Sequence, residues 1–415
     1  ELVLLLLVEE LLTGESPDSG RFKDRRMDSM NDIYLDHNAT TPLLPTVVVA
    51  MLPCLRDGFG NPSSVHAPGR AARVRLDEAR EQVAALIGAH PAEIVFTSGG
   101  TEADAMAVLG VARSLKEKGR HIVTSQVEHP AVLNPCRQLA KEGFRVDFLP
   151  VDTSGRVDVD KVQAALCGET ILIAIQHANS EMGALQPIEE IGSLARDRGV
   201  LFHTDAVQAV GKIPVNVQKC PVDLMAVSAH KMSGPKGVGA LFIRRGTPPL
   251  SPLIEGGGQE KKRRGGTENV PGIVGFGQAA AWAANGMMEN MEHLAALKSQ
   301  LIEGIRKQIP QAIFHGNPEY SLPNTVSVGF TGVDGEALMI RLDLAGVSVS
   351  TGTACSSGVA LPSDVLAAMQ APPEVIRSTI RISLGHSNTA DEITRVLAIL
   401  TKSVQDIRRK AGVAS

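Results

Sequence analysis

Lys231 stands in VSAHKMSGPKGVG, directly after the apolar run DLMAVSA and among small residues. Lysines are seldom buried. One held at a strand end beside a loop-lined cavity has its neutral, nucleophilic amine favoured by desolvation and can form a Schiff base. Taken alone, a His-Lys pair at a strand end is also readable as a solvated lysine. Asp205, closing the run VLFHTD, shifts that balance. An ionised carboxylate at a neighbouring strand end is what a pyridinium nitrogen requires, since it keeps the ring protonated and electron-withdrawing. The third part is an anion grip in TSGGTEADAM, residues 97–106. Ser-Gly-Gly-Thr falls between the apolar run EIVF and a helical pattern. Backbone N–H groups around Gly100, the helix macrodipole and the Thr101 hydroxyl can then converge on one phosphate. The same residues could simply make a tight turn with Thr101 as N-cap. Lysine, aspartate and phosphate cup together are the binding pattern of pyridoxal 5'-phosphate, PLP.

These residues need a scaffold that brings strand ends together. From Glu93 onward, β-rich runs alternate with helical patterns: EIVFT, HIVTS, RVDFLPV, TILIAIQ, VLFHTD, DLMAVSA and GALFIRR. Seven such runs with helices between them predict an α/β domain with a mostly parallel sheet. Ligands of such sheets bind outside the carboxyl ends of the strands. The residues just after the runs are GGTE, Glu128 with His129, His177 with Asn179, Asp205 with Gln208, and Ser228 with His230 and Lys231. After residue 287 a long amphipathic helix and three short runs, NTVSVGF, VSVST and IRISLG, predict a smaller α+β domain. We therefore expect a large domain over 45–287 and a small one from 31–44 with 288–415.

Composition narrows the class. Of 415 residues, 43% are hydrophobic and 21% charged, an ordinary soluble balance with ample chain for a large core. A net charge of −4 argues against nucleic acid as a partner, and KKRR at 261–264 reads as a solvated loop. Five scattered cysteines without CxxC spacing fit a reducing compartment, the cytoplasm, and argue against a disulfide framework or a zinc site. LVLLLLV near the start is too short to span a bilayer, which takes about 20 apolar residues. It lacks a positive n-region, so it is a poor signal peptide and gives no membrane partner. Residues 1–30 read as an extension outside the fold, unstructured or foreign to it.

The segments YLDHNATTPL, GNPSSVH, FTSGGTEADA, VEHPAVLN, HTDAVQAVGK, SAHKMSGPKGVGAL, GGGQEKKRRGGTENVPG, STGTACSSG and IRISLGHS occur in that order. Together they resemble the cysteine desulfurases of the NifS/IscS type, PLP enzymes of the class V aminotransferase-like group with a PLP-dependent transferase-like fold. The resemblance runs from Asp32 to about Lys410. It implies that Lys231 is the Schiff-base lysine, Asp205 the pyridinium partner, His129 the imidazole stacked on the ring and Gln208 the amide beside its phenolic oxygen. The resemblance also implies that Asn179 lies near the cofactor. Gly100, Thr101, Ser228 and His230 would hold the phosphate. Thr267, in a second GGTE at 265–268, would reach the same phosphate across a homodimer interface, so each site would draw on two chains.

For the substrate, the resemblance implies that Arg381 binds the carboxylate of L-cysteine as a fork, with Asn38 and Asn179 as helpers. Cys355, in the small-residue segment TGTACSSG, would take the sulfur as a persulfide. Cys54 and Cys167 adjoin apolar helical positions, and Cys136 and Cys220 read as lying at element ends. Sulfur would then pass to an acceptor protein of an iron–sulfur or thiolation pathway. Two departures from the family pattern bear on substrate preference: Ser180 where Asn is common, and His386 where SLGR is common. Selenocysteine lyase, on the same scaffold, and a non-catalytic sulfur-transfer scaffold are the alternative readings.

Overall fold

The computed structural model describes residues 32–351 and 363–412; Cys355 and the 1–30 extension lie outside the described residues. The chain enters through a two-residue strand, β1 (Ile33–Tyr34), and helices α1 (Pro45–Arg56) and α2 (Ala67–Leu86). Strands β2 (Ile94–Thr97), β3 (His121–Ser125), β4 (Arg145–Leu149), β5 (Thr170–Ala174), β6 (Leu201–Asp205), β7 (Leu224–Ser228) and β8 (Gly239–Ile243) then form a seven-stranded sheet, ordered β2-β8-β7-β6-β5-β3-β4. Only β8 is antiparallel to its neighbours β2 and β7; the remaining pairs are parallel. The expected α/β sheet is present, and its parallel strands all end on one edge.

The strands are near-continuous apolar runs because both faces are covered. Helices α3 (Gly100–Leu115) and α4 (Pro130–Lys141) bury Met106, Val111, Val132 and Leu139 on one face. On the other face lie α2, α6 (Ile188–Arg198) and the start of α7 (Val270–Gln308), which contribute Leu76, Val83, Ile191 and Phe276. A short α5 (Val159–Ala165) joins β4 to β5. Along β2 the division alternates by residue: Ile94 and Phe96 face one core and Val95 the other.

Helix α7 has 39 residues, about 58 Å at 1.5 Å per residue. Its N-terminal part packs on the sheet, while Leu294, Leu297, Leu301 and Ile305 enter a second core. That core lies under an antiparallel sheet ordered β12-β10-β9, made of β9 (Ala312–Phe314), β10 (Thr325–Phe330) and β12 (Thr379–Ser383). Helices α8 (Gly335–Leu344) and α11 (Ala390–Lys410) cover it; α9 (Asp364–Ala368) and α10 (Pro373–Arg377) precede β12.

The run expected at 347–351 does contain a strand, which lies outside this sheet. β11 (Val347–Ser348) instead pairs in parallel with β1, and the third place is taken by β9. Three partly exposed residues following Gln311 at φ 60° carry too little period-2 pattern to stand out in sequence. Cys136 lies in the middle of α4 and is fully buried, not at an element end.

Candidate active site

The edge where the parallel strands end is built closely around the Gly-Gly turn. No side chain caps the N-terminus of α3, so its first N–H groups are left to the turn and the space before it. Both flanking approaches require glycine. A Cβ at Gly239 would lie 2.7 Å from the Gly99 carbonyl carbon, and one at Gly100 would lie 2.7 Å from Val207 Cγ2. Gly100 is thereby brought beside Ser228, at the end of β7, while Thr101 in the first turn is exposed. Phosphate-sized anions suit such a helix start.

Asp205 ends β6 two strands away from β2's partner and is buried. Its Oδ1 accepts the Val207 N–H at 2.9 Å. Burial raises its pKa, and the charges of His129 and Lys231 together with that N–H pull it back. These three side chains therefore share one electrostatic site. His129 is the N-cap of α4: its Nδ1 accepts from Ala131 N–H at 3.1 Å. With Nδ1 accepting, a ring proton belongs on Nε2. His230, half-buried, has its pKa lowered to about 4 by burial and by Lys231, Lys236 and Lys212.

Two further acids lie beneath. Asp104 on α3 meets His203 Nε2 at 3.0 Å, both fully buried. Burial, then the charges of Asp205 and Glu128, raise its pKa well above the carboxylate range. Glu128 is wholly buried; Ser125 Oγ donates to its Oε1 at 2.6 Å, while Oε2 has no partner. Its pKa is pushed up to about 8, chiefly by burial. Burial thus favours the protonated form of both acids, while at Asp205 the charges of His129 and Lys231 and the Val207 N–H favour the ionised one. Sequence alone did not single out Asp104; its position three residues after Thr101, one helical turn on, was the available signal.

Asn38 joins the site to the rest of the chain. Its carbonyl accepts from Lys231 Nζ at 2.5 Å and Gln208 Nε2 at 3.0 Å. Its Oδ1 accepts from Lys212 Nζ at 2.9 Å and Asn324 Nδ2 at 3.1 Å. Its Nδ2 donates to the Ser180 carbonyl and to Thr325 Oγ1. Lys231 Nζ also donates to the Ala39 carbonyl at 2.7 Å. Lys212 was missed in sequence although it follows Gln208 by four residues. It is buried and gives its second bond to Gln208 Oε1 at 2.6 Å. That bond turns the Gln208 oxygen inward and its NH2 toward Asn38. Burial, then Lys231 and Arg381, lowers the Lys212 pKa well below its usual value.

Arg381, on β12, is 3% exposed. It donates to Asp36 Oδ1 at 2.7 Å and to the Ser180 carbonyl at 3.1 Å, and its Nε has no partner. The Ser180 backbone thus bonds both Asn38 and Arg381, a role that does not depend on the side chain at 180. Asn179 Oδ1 accepts from Glu181 and Met182 N–H, and its Nδ2 donates to the Val127 carbonyl. His386 stacks edge-on to Trp282, with ring centroids 4.7 Å apart.

The second GGTE lies against the first within the same chain. Arg264 donates to Glu102 of the first copy at 2.8 and 3.3 Å. This ion pair neutralises an acid beside the anion grip. Thr267 is exposed and lines a cavity of about 140 Å³ with Thr97 and Ser98. Glu260, Lys261 and Lys262 all take positive φ, 44°, 55° and 65°, which non-glycine residues rarely do. A buried bidentate pair from Arg80 to Glu260, at 2.9 and 2.7 Å, holds them there. The KKRR stretch is therefore an anchored turn at Arg264 and solvated at Lys261 and Lys262.

Residues 33–396 match the aminotransferase class-V family. A cysteine desulfurase IscS of Dictyoglomus turgidum is 48% identical over 91% of this chain and 95% of its own length. Another, of Methanosarcina thermophila, is 46% identical over 91% of this chain and 93% of its own. A solved NifS-like protein superposes with a TM-score of 0.85 at 38% identity, covering 90% of this chain and all of that one. With that family match spanning most of the sequence and relatives this similar, the chain belongs to the class-V aminotransferase family, among its cysteine desulfurases of the NifS/IscS type.

Proposed function

We propose that this protein takes sulfur from L-cysteine, leaves L-alanine and hands the sulfur to an acceptor protein. The observation that carries the reading is the buried Asp205, within the field of both Lys231 and His129 and beside an uncapped helix N-terminus. That donor set fits PLP: the helix start at Gly100 and Thr101, with Ser228 and His230, would hold the phosphate, and Asp205 the ring nitrogen. Bound there, PLP supplies a carbonyl for amine substrates and a ring that takes up an electron pair.

The chain's own residues do the rest. Lys231 Nζ, between two main-chain carbonyls, is the amine that attaches the cofactor and moves the Cα proton of the substrate. Asp205 would keep a proton on the ring nitrogen, and burial favours the protonated form of its neighbours Asp104 and Glu128. His129 presents Nε2 over the site. Gln208, its oxygen held by Lys212, keeps an N–H for the phenolic oxygen. Arg381 receives the substrate carboxylate by exchanging Asp36 for it, with Asn38 and Asn179 setting the surrounding backbone. Sulfur moves to Cys355: its thiol and L-cysteine give Cys355 persulfide and L-alanine, with no other oxidant or reductant consumed.

We place Thr267 of one chain at the phosphate of a second copy; its exposure at the end of the Glu102–Arg264 link supports that arrangement. The two cores support a large lobe over 45–287 and a small one from 31–44 with 288–415, with Asn38 between them, although Val365 and Met369 pack into the larger core. Among the described residues no helix is long and apolar enough to cross a membrane, and the scattered cysteines support a cytoplasmic setting.

Purified protein loaded with PLP and given L-cysteine should form alanine and sulfane sulfur one for one. With Cys355→Ala the persulfide mass on the 355 peptide should vanish. An added sulfur on another peptide, or alanine formed without sulfur release, overturns the reading. Parallel turnover on selenocysteine separates the selenium alternative.

A further inference from the structure

The amino ends of the strands, opposite the edge that carries Lys231, hold a second set of chemically active side chains. His121 opens β3, Arg145 opens β4 and Thr170 opens β5. Cys167, just before β5, is the exposed one among the described cysteines; Cys54, Cys136 and Cys220 are buried. His121 Nδ1 lies 3.4 Å from Cys167 Sγ, and Asp147 Oδ2 lies 3.1 Å from His121 Nε2. Nucleophile, base and orienting acid thus come from three separate segments, in the order that activates a thiol.

The tautomer follows from charge. Arg145 donates to both oxygens of Asp147, at 3.2 and 2.6 Å. Despite partial burial, these bonds and those with His121 hold Asp147 below the usual carboxylate range. An ionised Asp147 accepts the His121 Nε2 proton, so Nδ1 presents a lone pair toward the thiol. Burial lowers the pKa of His121 and Asp147 pulls it back up; the lowering favours the neutral ring, whose Nδ1 lone pair is open to a proton. Thr170 Oγ1 shares that lone pair at 2.8 Å, lies 3.6 Å from Sγ, and accepts the Cys167 N–H at 2.8 Å. It fixes the cysteine backbone and can turn its hydroxyl to the sulfur as the proton leaves. The Arg145 guanidinium interacts with the charges of Asp147, Cys167 and Glu169, so a cation stands near the thiol.

We propose that Cys167 is a reactive surface thiol that undergoes reversible exchange with low-molecular-mass disulfides, with His121 as its base. In the step, His121 Nδ1 takes the S–H proton and Cys167 sulfur attacks one sulfur of the disulfide. A Cys167–S–S–R bond forms, the R–S–S–R bond breaks, and the released thiolate takes the proton from His121. Nothing here depends on the desulfurase reading, because the cluster lies at the other end of the sheet.

The test treats the full-length protein with oxidised glutathione at pH 7 and follows the mixed disulfide on each cysteine peptide by mass spectrometry. Native Cys167 should exchange about tenfold faster than the same cysteine in the urea-unfolded chain. Asp147→Asn, which releases the tautomer without entering the core, should lower the native rate at least about threefold. Cys167→Ser should abolish the adduct on that peptide while leaving cysteine turnover unchanged. A native rate no faster than the unfolded one overturns the proposal, as does an Asp147→Asn rate equal to wild type.

Discussion

Glu128→Gln isolates the buried acid beneath the candidate site. The Glu128 carboxyl titrates at about 8 in the folded chain against 4.5 in a solvated one, mainly because burial penalises its ionised form. The sign follows by linkage: a raised folded pKa means that the native state holds the proton more tightly. This proton-linked stability is complete below pH 4.5 and is lost as pH climbs toward 8. Between pH 5 and pH 8 the integrated loss is about 3.5 kcal/mol. Glutamine has the shape of the protonated acid and keeps an oxygen for Ser125, but it does not titrate. Any fixed cost from its second, unpartnered position is the same at both pH values and cancels in the difference. Near 60 °C unfolding entropy is about 2.1 cal/mol/K per residue. For a chain of this size, about 3.5 kcal/mol then corresponds to about 4 °C. Thermal unfolding of the cofactor-free variant and wild type, under reducing conditions, should show the variant gaining about 4 °C relative to wild type on going from pH 5 to pH 8. A relative melting temperature that does not change with pH refutes the claim that Glu128 is protonated in the fold.

Lys231→Ala should lose covalent cofactor attachment: borohydride followed by peptide mass spectrometry marks Lys231 in wild type and nothing in the variant. Mixed dimers of a Lys231→Ala chain with a Thr267→Ala chain should keep about one working site in two, because both lesions fall in the same site if Thr267 acts across the interface. Two impaired sites would place Thr267 in its own chain. Lys212→Met removes the donor to Gln208 Oε1 and one of the two donors to Asn38 Oδ1; PLP affinity should fall about tenfold with the fold retained, and unchanged affinity would show that Gln208 needs no such support.

The large sheet was legible because buried parallel strands are dense apolar runs, and Asp205, Ser228 and Lys231 sit where those runs stop. The anion grip could be read from Gly-Gly between a strand and a helix. What escaped were contacts that sequence does not index. Lys212 looks like a surface lysine in AVQAVGK until folding places it between two amide oxygens. Asp104 and His203 lie in different elements, and their pairing depends on how α3 crosses β6. β9 was lost because three residues carry no measurable period. The repeated GGTE was visible, but the Arg264–Glu102 bond that ties the copies together within one chain was not.

The bonds around Asn38 also fix the order in which the molecule can become competent as it is made. Its N–H reaches Ser383 Oγ across 345 residues of sequence, and its side chain reaches Asn324 and Thr325. Lys231 and Gln208 therefore leave the ribosome well before the strand that locks the carbonyl they share. At about 5–20 residues per second, the interval is on the order of ten seconds. A nascent chain passes through it with its large sheet able to form and its amine not yet held. Truncation before β12 should then yield chains that collapse without a finished site, a built-in check that ties reactivity to completed synthesis.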